Sequence, residues 1–332
     1  MATVAGYPVT PRVGKLAIEE AVERPYQQVV DHLVKSHAIR LGKELLEHLV
    51  QTVGGWWLEE DRRELEAARA ARTAPAAAVT ADRCLVFADG VMAHTDGAWH
   101  EVRVGTVRSE RQGELVAKSS IALQCDTDGF GDQLWRNACR MGYRGAAVTA
   151  FIADGSHWLW NQADQHFKGA TKIVDFWHVC EKVGKCASAF FGEGTAEARA
   201  WSLAVCGTLR AGEVDEALAK VETLNARNSK PRREAKHELV TYLRNNRERM
   251  DYPSYEAMGL PIGSGEVEAQ CKTLVQQRCK QSGMRWHREG LETLLRVRCA
   301  LRDGRYDRDF GRWRGNLTAW RLARRQSHRP AA

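Results

Sequence analysis

The chain has 332 residues, a net charge of +7, 44% apolar residues and 27% charged residues. That is enough for one large domain with an insertion, or for two domains, with a true hydrophobic core. No run of about 18 apolar residues is present, and Met1–Arg12 lacks an apolar signal core, which argues against a membrane span or a secretion signal and for a cytoplasmic protein.

Nine cysteines, an odd number with no C-x-x-C pair, read as free thiols of a reducing compartment and not as a zinc or disulfide framework. The charge is uneven. From Ala269 to Arg329 there are 16 Lys or Arg against 5 Asp or Glu, a surplus of 11, so the rest of the chain carries −4. A basic segment interleaved with Trp286, Tyr306, Trp313 and Trp320 points to contact with a polyanion.

Residues 1–25 read as irregular. Residues 26–72 read as helices, with apolar residues at helical spacing through Val29, Val30, Leu33 and Val34, then Leu41, Leu45, Leu46 and Leu49. Thr73–Thr80 reads as a linker. The apolar run Cys84–Ala88 predicts a strand stopping at Asp89-Gly90. Further strands are expected at Trp99–Val107 and Ser119–Gln124, a helix at Asp128–Arg140, and a strand at Ala146–Ala153 stopping at Asp154-Gly155. A short helix starts near Ser156, a third apolar run ends at Asp175, and residues 176–250 read as helices only. A last helical block starts after Pro261 and runs to about Arg302. The order predicts an α/β protein with a mixed sheet: an antiparallel meander, then crossover units. The division expected is a helical N-terminal segment and linker (1–80), a catalytic core in two parts (81–180 and 259–305), an all-helical insertion (181–258) and a basic tail (306–332).

Three apolar strands that each end in an aspartate place carboxylates where open α/β sheets carry their functional groups. Asp89 and Asp154, brought together, would repel unless a cation lay between them, and oxygen ligands suit Mg²⁺ or Mn²⁺. A third carboxylate comes from Pro261-Ile-Gly-Ser-Gly-Glu-Val-Glu268, where Ser264 can cap a helix with the apolar stripe Val267, Cys271 and Leu274. Helical phase sets Glu268 at the edge of that stripe and Glu266 toward water. Asp175 reads as the cap of the helix that follows it, the alternative being a metal ligand in place of Asp154; His178, one turn on, reads as a DNA contact near the site or as a packed or surface residue, and both are taken as supporting the site. Trp158 and Trp160 read as packing residues. Lys272, Arg278, Lys280 and Arg285 are the candidate phosphate contacts.

The ordered set Phe87-Ala-Asp89-Gly90, Ala153-Asp154-Gly155-x-x-Trp158-x-Trp160, Val174-Asp175-Phe176-Trp177-His178, Gly263-Ser264-Gly265-x-x-Glu268 and Arg278-x-Lys280-x-Ser282-Gly283-Met284-x-Trp286 resembles bacterial insertion-sequence transposases of the ISKra group, relatives of the Mutator-like transposases. The resemblance spans about residues 84–300. It implies a ribonuclease-H-like five-stranded sheet with a helical insertion, and an Asp-Asp-Glu triad mapping to Asp89, Asp154 and Glu268. It also implies two Mg²⁺ or Mn²⁺ ions, transposon-end and target DNA as substrates, and a dimer or higher oligomer as the active form. Where the pattern continues with Glu-His, this chain has Glu181-Lys182, and an N-terminal region with paired cysteines is missing. A truncated or domesticated, catalytically inactive DNA-binding derivative is therefore the alternative. A phosphatase with a strand-end aspartate nucleophile would want a second Asp two residues on, where Val91 stands.

Overall fold

A computed structural model describes residues 9–315. In chain order the elements are α1 (Pro11–Glu23), α2 (Tyr26–His37), α3 (Lys43–Ala70), β1 (Arg83–Thr95), β2 (Ala98–Arg111), β3 (Glu114–Leu123), α4 (Thr127–Arg140), β4 (Val148–Ala153), α5 (His157–His166) and β5 (Thr171–Val174). There follow α6 (Phe176–Phe191), α7 (Ala196–Arg210), α8 (Val214–Glu222), α9 (Lys230–Asn246), α10 (Tyr252–Ala257) and α11 (Gly265–Gln270). A π-helical stretch (Cys271–Gln276), α12 (Gln277–Cys279) and α13 (Arg288–Arg302) come last, with 306–315 also helical. The five strands form one mixed sheet in the order β3-β2-β1-β4-β5. β2 and β3 pair antiparallel, and β4 and β5 pair parallel. No helix among the described residues is long and apolar enough to cross a membrane.

The chain divides into two compact units. Among the described residues, one comprises 9–84, 90–146 and 267–315; the other comprises 85–89 and 147–266. This division differs from the sequential one expected. The N-terminal helices belong with β2, β3, α4 and the C-terminal helices, because the apolar faces of α1 and α13 both pack on α3.

In the first unit, α1 corrects the expectation of an irregular N-terminus. Pro11 opens the helix, the Thr10 hydroxyl accepts from the Val13 N–H, and the buried stripe is Gly14, Ala17, Ile18, Ala21 and Val22. Alanine and glycine make that stripe faint in a hydropathy reading. β1 does not stop at Asp89-Gly90; it runs on to Thr95. The turn falls at the next Asp-Gly, Asp96-Gly97, where both residues have positive φ (50° and 89°), the signature of a two-residue hairpin turn. The helical block expected from 261 to 302 is made of separate helices. The π stretch rotates its phase, and 280–287 leaves the helix to bridge Thr95 through Trp286.

The same unit holds a buried ionic network. Asp61 on α3 accepts from Arg296 at 2.6 and 3.2 Å and pairs with Arg136 at 2.9 Å. Burial penalises the Asp61 charge, but the two guanidinium groups more than offset this and hold its carboxyl down at about 2.

In the second unit, β4, β5 and residues 85–89 of β1 meet a set of helices, α5 to α10. No strand occurs between 181 and 258, as the Ala-, Glu-, Arg- and Lys-rich sequence predicts. All nine cysteines are free thiols, and burial pushes that of Cys84 up to about 12.

A candidate carboxylate site in the second unit

Asp89 and Asp154 lie on neighbouring parts of the sheet. Asp89 is within β1, and Asp154 directly follows Ala153, the last residue of β4; β1 and β4 are adjacent strands. Both aspartates are half-buried. Asp154 is fixed in two ways. Its carboxylate accepts from the Ser156 N–H and hydroxyl, each at 2.8 Å, and its main-chain carbonyl accepts from the Tyr242 hydroxyl at 2.7 Å. Gly155 makes the second contact possible. Its φ is +95°, and a Cβ there would stand 2.6 Å from the Tyr242 hydroxyl oxygen. Each Asp154 oxygen keeps lone-pair capacity beyond its single hydrogen bond.

Asp175 follows β5 and is wholly buried. It caps α6, as expected: Oδ1 accepts from the Trp177 N–H at 2.6 Å and the His178 N–H at 3.2 Å. It does more than cap. Oδ2 accepts from the Ser264 N–H at 2.6 Å and from the Ser264 hydroxyl, with His178 Nδ1 at 3.7 Å. Burial works against its charge, yet the bonds from His178 and Ser264 prevail and hold its carboxyl below the usual carboxylate range. The hydrogen bond to Asp175, reinforced by the charges of Asp154 and Glu181, raises His178 to about 9 against the opposing effect of burial. Without a metal, His178 is therefore an imidazolium at neutral pH, and it would have to lose that proton to serve as a ligand. Asp175 and His178 belong to a carboxylate and imidazole group that could hold a metal ion.

Ser264, expected to cap a helix, is bonded to Asp175, 89 residues away. Tyr242 was not foreseen at all; the glycine after Asp154 was the one local sign that something approaches closely. Of the two tryptophans read as packing residues, Trp160 is buried and Trp158 half-buried. Trp177 is 58% exposed.

In the first unit, Glu268 lies on α11 and is exposed, whereas Glu266, just before the division, is half-buried. The expectation that Glu266 faces water is thus corrected. α11 has only six residues before the π stretch, so ideal helical phase does not carry through it. Among the candidate phosphate contacts, Lys272, Lys280 and Arg285 are exposed, and the Lys280 ammonium stands 5.4 Å from the centre of the exposed Trp99 ring. Arg278 is a correction. It is 1% exposed, donates to the Ala21 carbonyl at 3.2 and 3.0 Å, and lies over the Tyr26 and Trp286 rings. A guanidinium so engaged holds α1 and α2 in place and is not offered to phosphate. The tail is corrected likewise: Tyr306 and Trp313 are buried, so they present no stacking surface, while Trp320 lies outside the described residues.

No protein-family model matches the chain, and no curated protein is significantly similar to it.

Proposed function

We propose that the chain is a metal-dependent DNA transposase of ribonuclease-H-like fold, with Asp89, Asp154 and Glu268 as its catalytic carboxylates. The observation that carries the reading is the presence of Asp89 and Asp154 on adjacent strands of a mixed α/β sheet. Half-buried carboxylates on neighbouring strands repel, and a divalent cation relieves that repulsion. The donor set is oxygen-rich and suits Mg²⁺ or Mn²⁺, two ions in this reading, with Glu268 supplying the third carboxylate. Such ions supply Lewis acidity at phosphate and lower the pKa of an attacking hydroxyl.

The chain's own groups do the rest. Ser156 fixes the Asp154 carboxylate, and Tyr242 fixes the backbone that carries it. Asp175 keeps His178 protonated, so a positive charge stands near Asp154 for a phosphodiester. The exposed Lys272, Lys280 and Arg285 are the DNA contacts that this reading keeps, with transposon-end and target DNA as partners and an oligomer as the working form.

The test is nicking of supercoiled plasmid by the full chain with Mg²⁺ or Mn²⁺. Asp89→Asn, Asp154→Asn and Glu268→Gln are each expected to abolish nicking while DNA binding and the melting profile persist; Glu266→Gln keeps most of the activity. A folded wild-type chain that neither nicks nor joins DNA, or an active Asp89→Asn protein, removes the reading.

A further inference from the structure

A cleft of about 700 Å³ opens in the second unit between α5 and α9, lined by Gly155, His157, Trp160, Asn161, Thr241, Tyr242 and Asn245 among others. Ligand pockets of folded proteins fall in the range of roughly 300–1,000 Å³. Its position is telling. Tyr242, in its wall, is the residue that holds the main chain of Asp154, and Gly155 forms part of its lining. The cleft therefore ends at the backbone of a proposed catalytic carboxylate.

Its chemistry is that of a nucleotide site. Asn161 and Asn245, one on each helix, are exposed, and their side-chain amides are uncommitted among the described residues. A carboxamide offers a donor and an acceptor side by side, the pattern that base edges complement. Two cations are fixed by stacking: Arg249 lies 4.7 Å from the centre of the Trp160 ring and Lys182 4.7 Å from that of Tyr242. The rings themselves are locked. The Trp160 indole donates to Asn246 Oδ1 at 2.8 Å, and the Asn246 amide donates to the Tyr242 carbonyl at 3.0 Å. Stacked cations of this kind meet phosphate without first paying for ordering. The anionic neighbours, Asp164 and Glu238, are exposed, and Glu238 reaches Lys182 only at 3.7 Å.

We propose that this cleft receives one unpaired nucleotide of the DNA strand being processed, its base against the Asn161 and Asn245 amides and its phosphate against Lys182 and Arg249. The inference rests on the DNA-processing reading given above. Taking a base out of the stack beside the carboxylates would fix the register of the strand and let the enzyme favour distorted or frayed ends.

The experiment compares a short oligodeoxynucleotide bearing 2-aminopurine, unpaired or within a duplex, bound to the full chain in Ca²⁺. Anisotropy gives affinity and 2-aminopurine fluorescence reports the base's surroundings. The double variant Asn161→Ala/Asn245→Ala should melt like wild type, since both side chains are exposed. It should weaken binding of the unpaired probe about tenfold and that of the duplex less than about twofold, and it should lose the fluorescence change. Equal weakening of both probes, or of neither, overturns the cleft assignment while plasmid nicking by the wild type stands. A wild-type chain that binds neither probe and nicks no plasmid overturns this inference and the functional reading together.

Discussion

Asp175→Asn is the change whose consequences can be worked out most fully. The two carboxylate oxygens take four hydrogen bonds, two on each oxygen, from the Trp177 and His178 N–H groups and from the Ser264 N–H and hydroxyl. An amide of the same shape accepts on one side only. If its oxygen faces α6, its NH₂ group meets the Ser264 N–H, donor against donor. The Ser264 hydroxyl can turn to accept, but the buried N–H cannot. Leaving that N–H without an acceptor costs about 1–3 kcal/mol, and exchanging charge-assisted for neutral bonds on α6 adds roughly 1 more. The expected loss from these bonds is therefore about 3 kcal/mol, with the weakened His178 pairing adding to it, whereas Ser264→Ala, which removes only the hydroxyl, should cost about 1. Urea unfolding followed by tryptophan fluorescence, with hydrogen exchange at the Ser264 amide, measures both. Nicking should be reduced and not abolished, because the proposed ligands are elsewhere. An Asp175→Asn protein within about 1 kcal/mol of wild type, with Ser264 still protected, would show that the carboxylate is not what joins these segments.

Other outcomes follow from the same reasoning. His178, at about 9, lies above its ordinary 6.5, so the stability its charge contributes is complete below pH 6.5 and is lost as pH rises through 9; an assigned His178 ring resonance titrating near 6.5 in the wild type refutes this, and a fall toward 6.5 is expected in Asp175→Asn. Asp175 shifts the other way: its contribution is present above 3.8 and is lost as pH falls through its depressed folded value, which acid-unfolding curves of wild type and Asp175→Asn would separate. Arg296→Met should destabilise the first unit by about 3–5 kcal/mol in a denaturation experiment, because it strips the buried Asp61 of its closest partner; a change under about 1 kcal/mol would count against the network. Lys280→Gln with Arg285→Gln should weaken DNA binding and flatten its salt dependence with no loss of stability, while Arg278→Gln should do the reverse; a salt slope that responds only to Arg278 contradicts its burial.

What could be read from the residues divides along physical lines. Apolar runs bounded by Asp or Gly located the strands, and the run of helix formers from 176 to 250 located the helices, because both signals are local. The capping role of Asp175 was equally legible, since a cap is a matter of two or three residues. The Asp-Gly at 89–90 misled because the same dipeptide serves as strand and as turn; only the hairpin partner β2 decides that the chain reverses at Asp96-Gly97 instead. Arg278, Tyr306 and Trp313 looked like a surface for DNA because charge and aromaticity carry no label of burial. What buries Arg278 is a helix more than 250 residues earlier in the chain, built on alanines too weak to announce it. Tyr242 was invisible for the same reason, since its partner is 88 residues away.

The contacts of Asp175 also bear on how such a chain could be assembled and altered. Between Phe176 and Ile262 the polypeptide makes a long excursion through five α-helices, yet it leaves and returns at one point, where the Phe176 N–H meets the Ile262 carbonyl at 2.8 Å and Asp175 grips Ser264. An excursion whose ends are pinned together behaves as a cassette. The entropy of closing it grows only with the logarithm of its length, by roughly 0.6 kcal/mol per doubling, so residues inserted in the loops between its helices add little cost. The helices that pack on the strands, and Tyr242, which holds the Asp154 backbone, have to stay. A cassette lengthened at such a loop should leave Asp89 and Asp154 where they are.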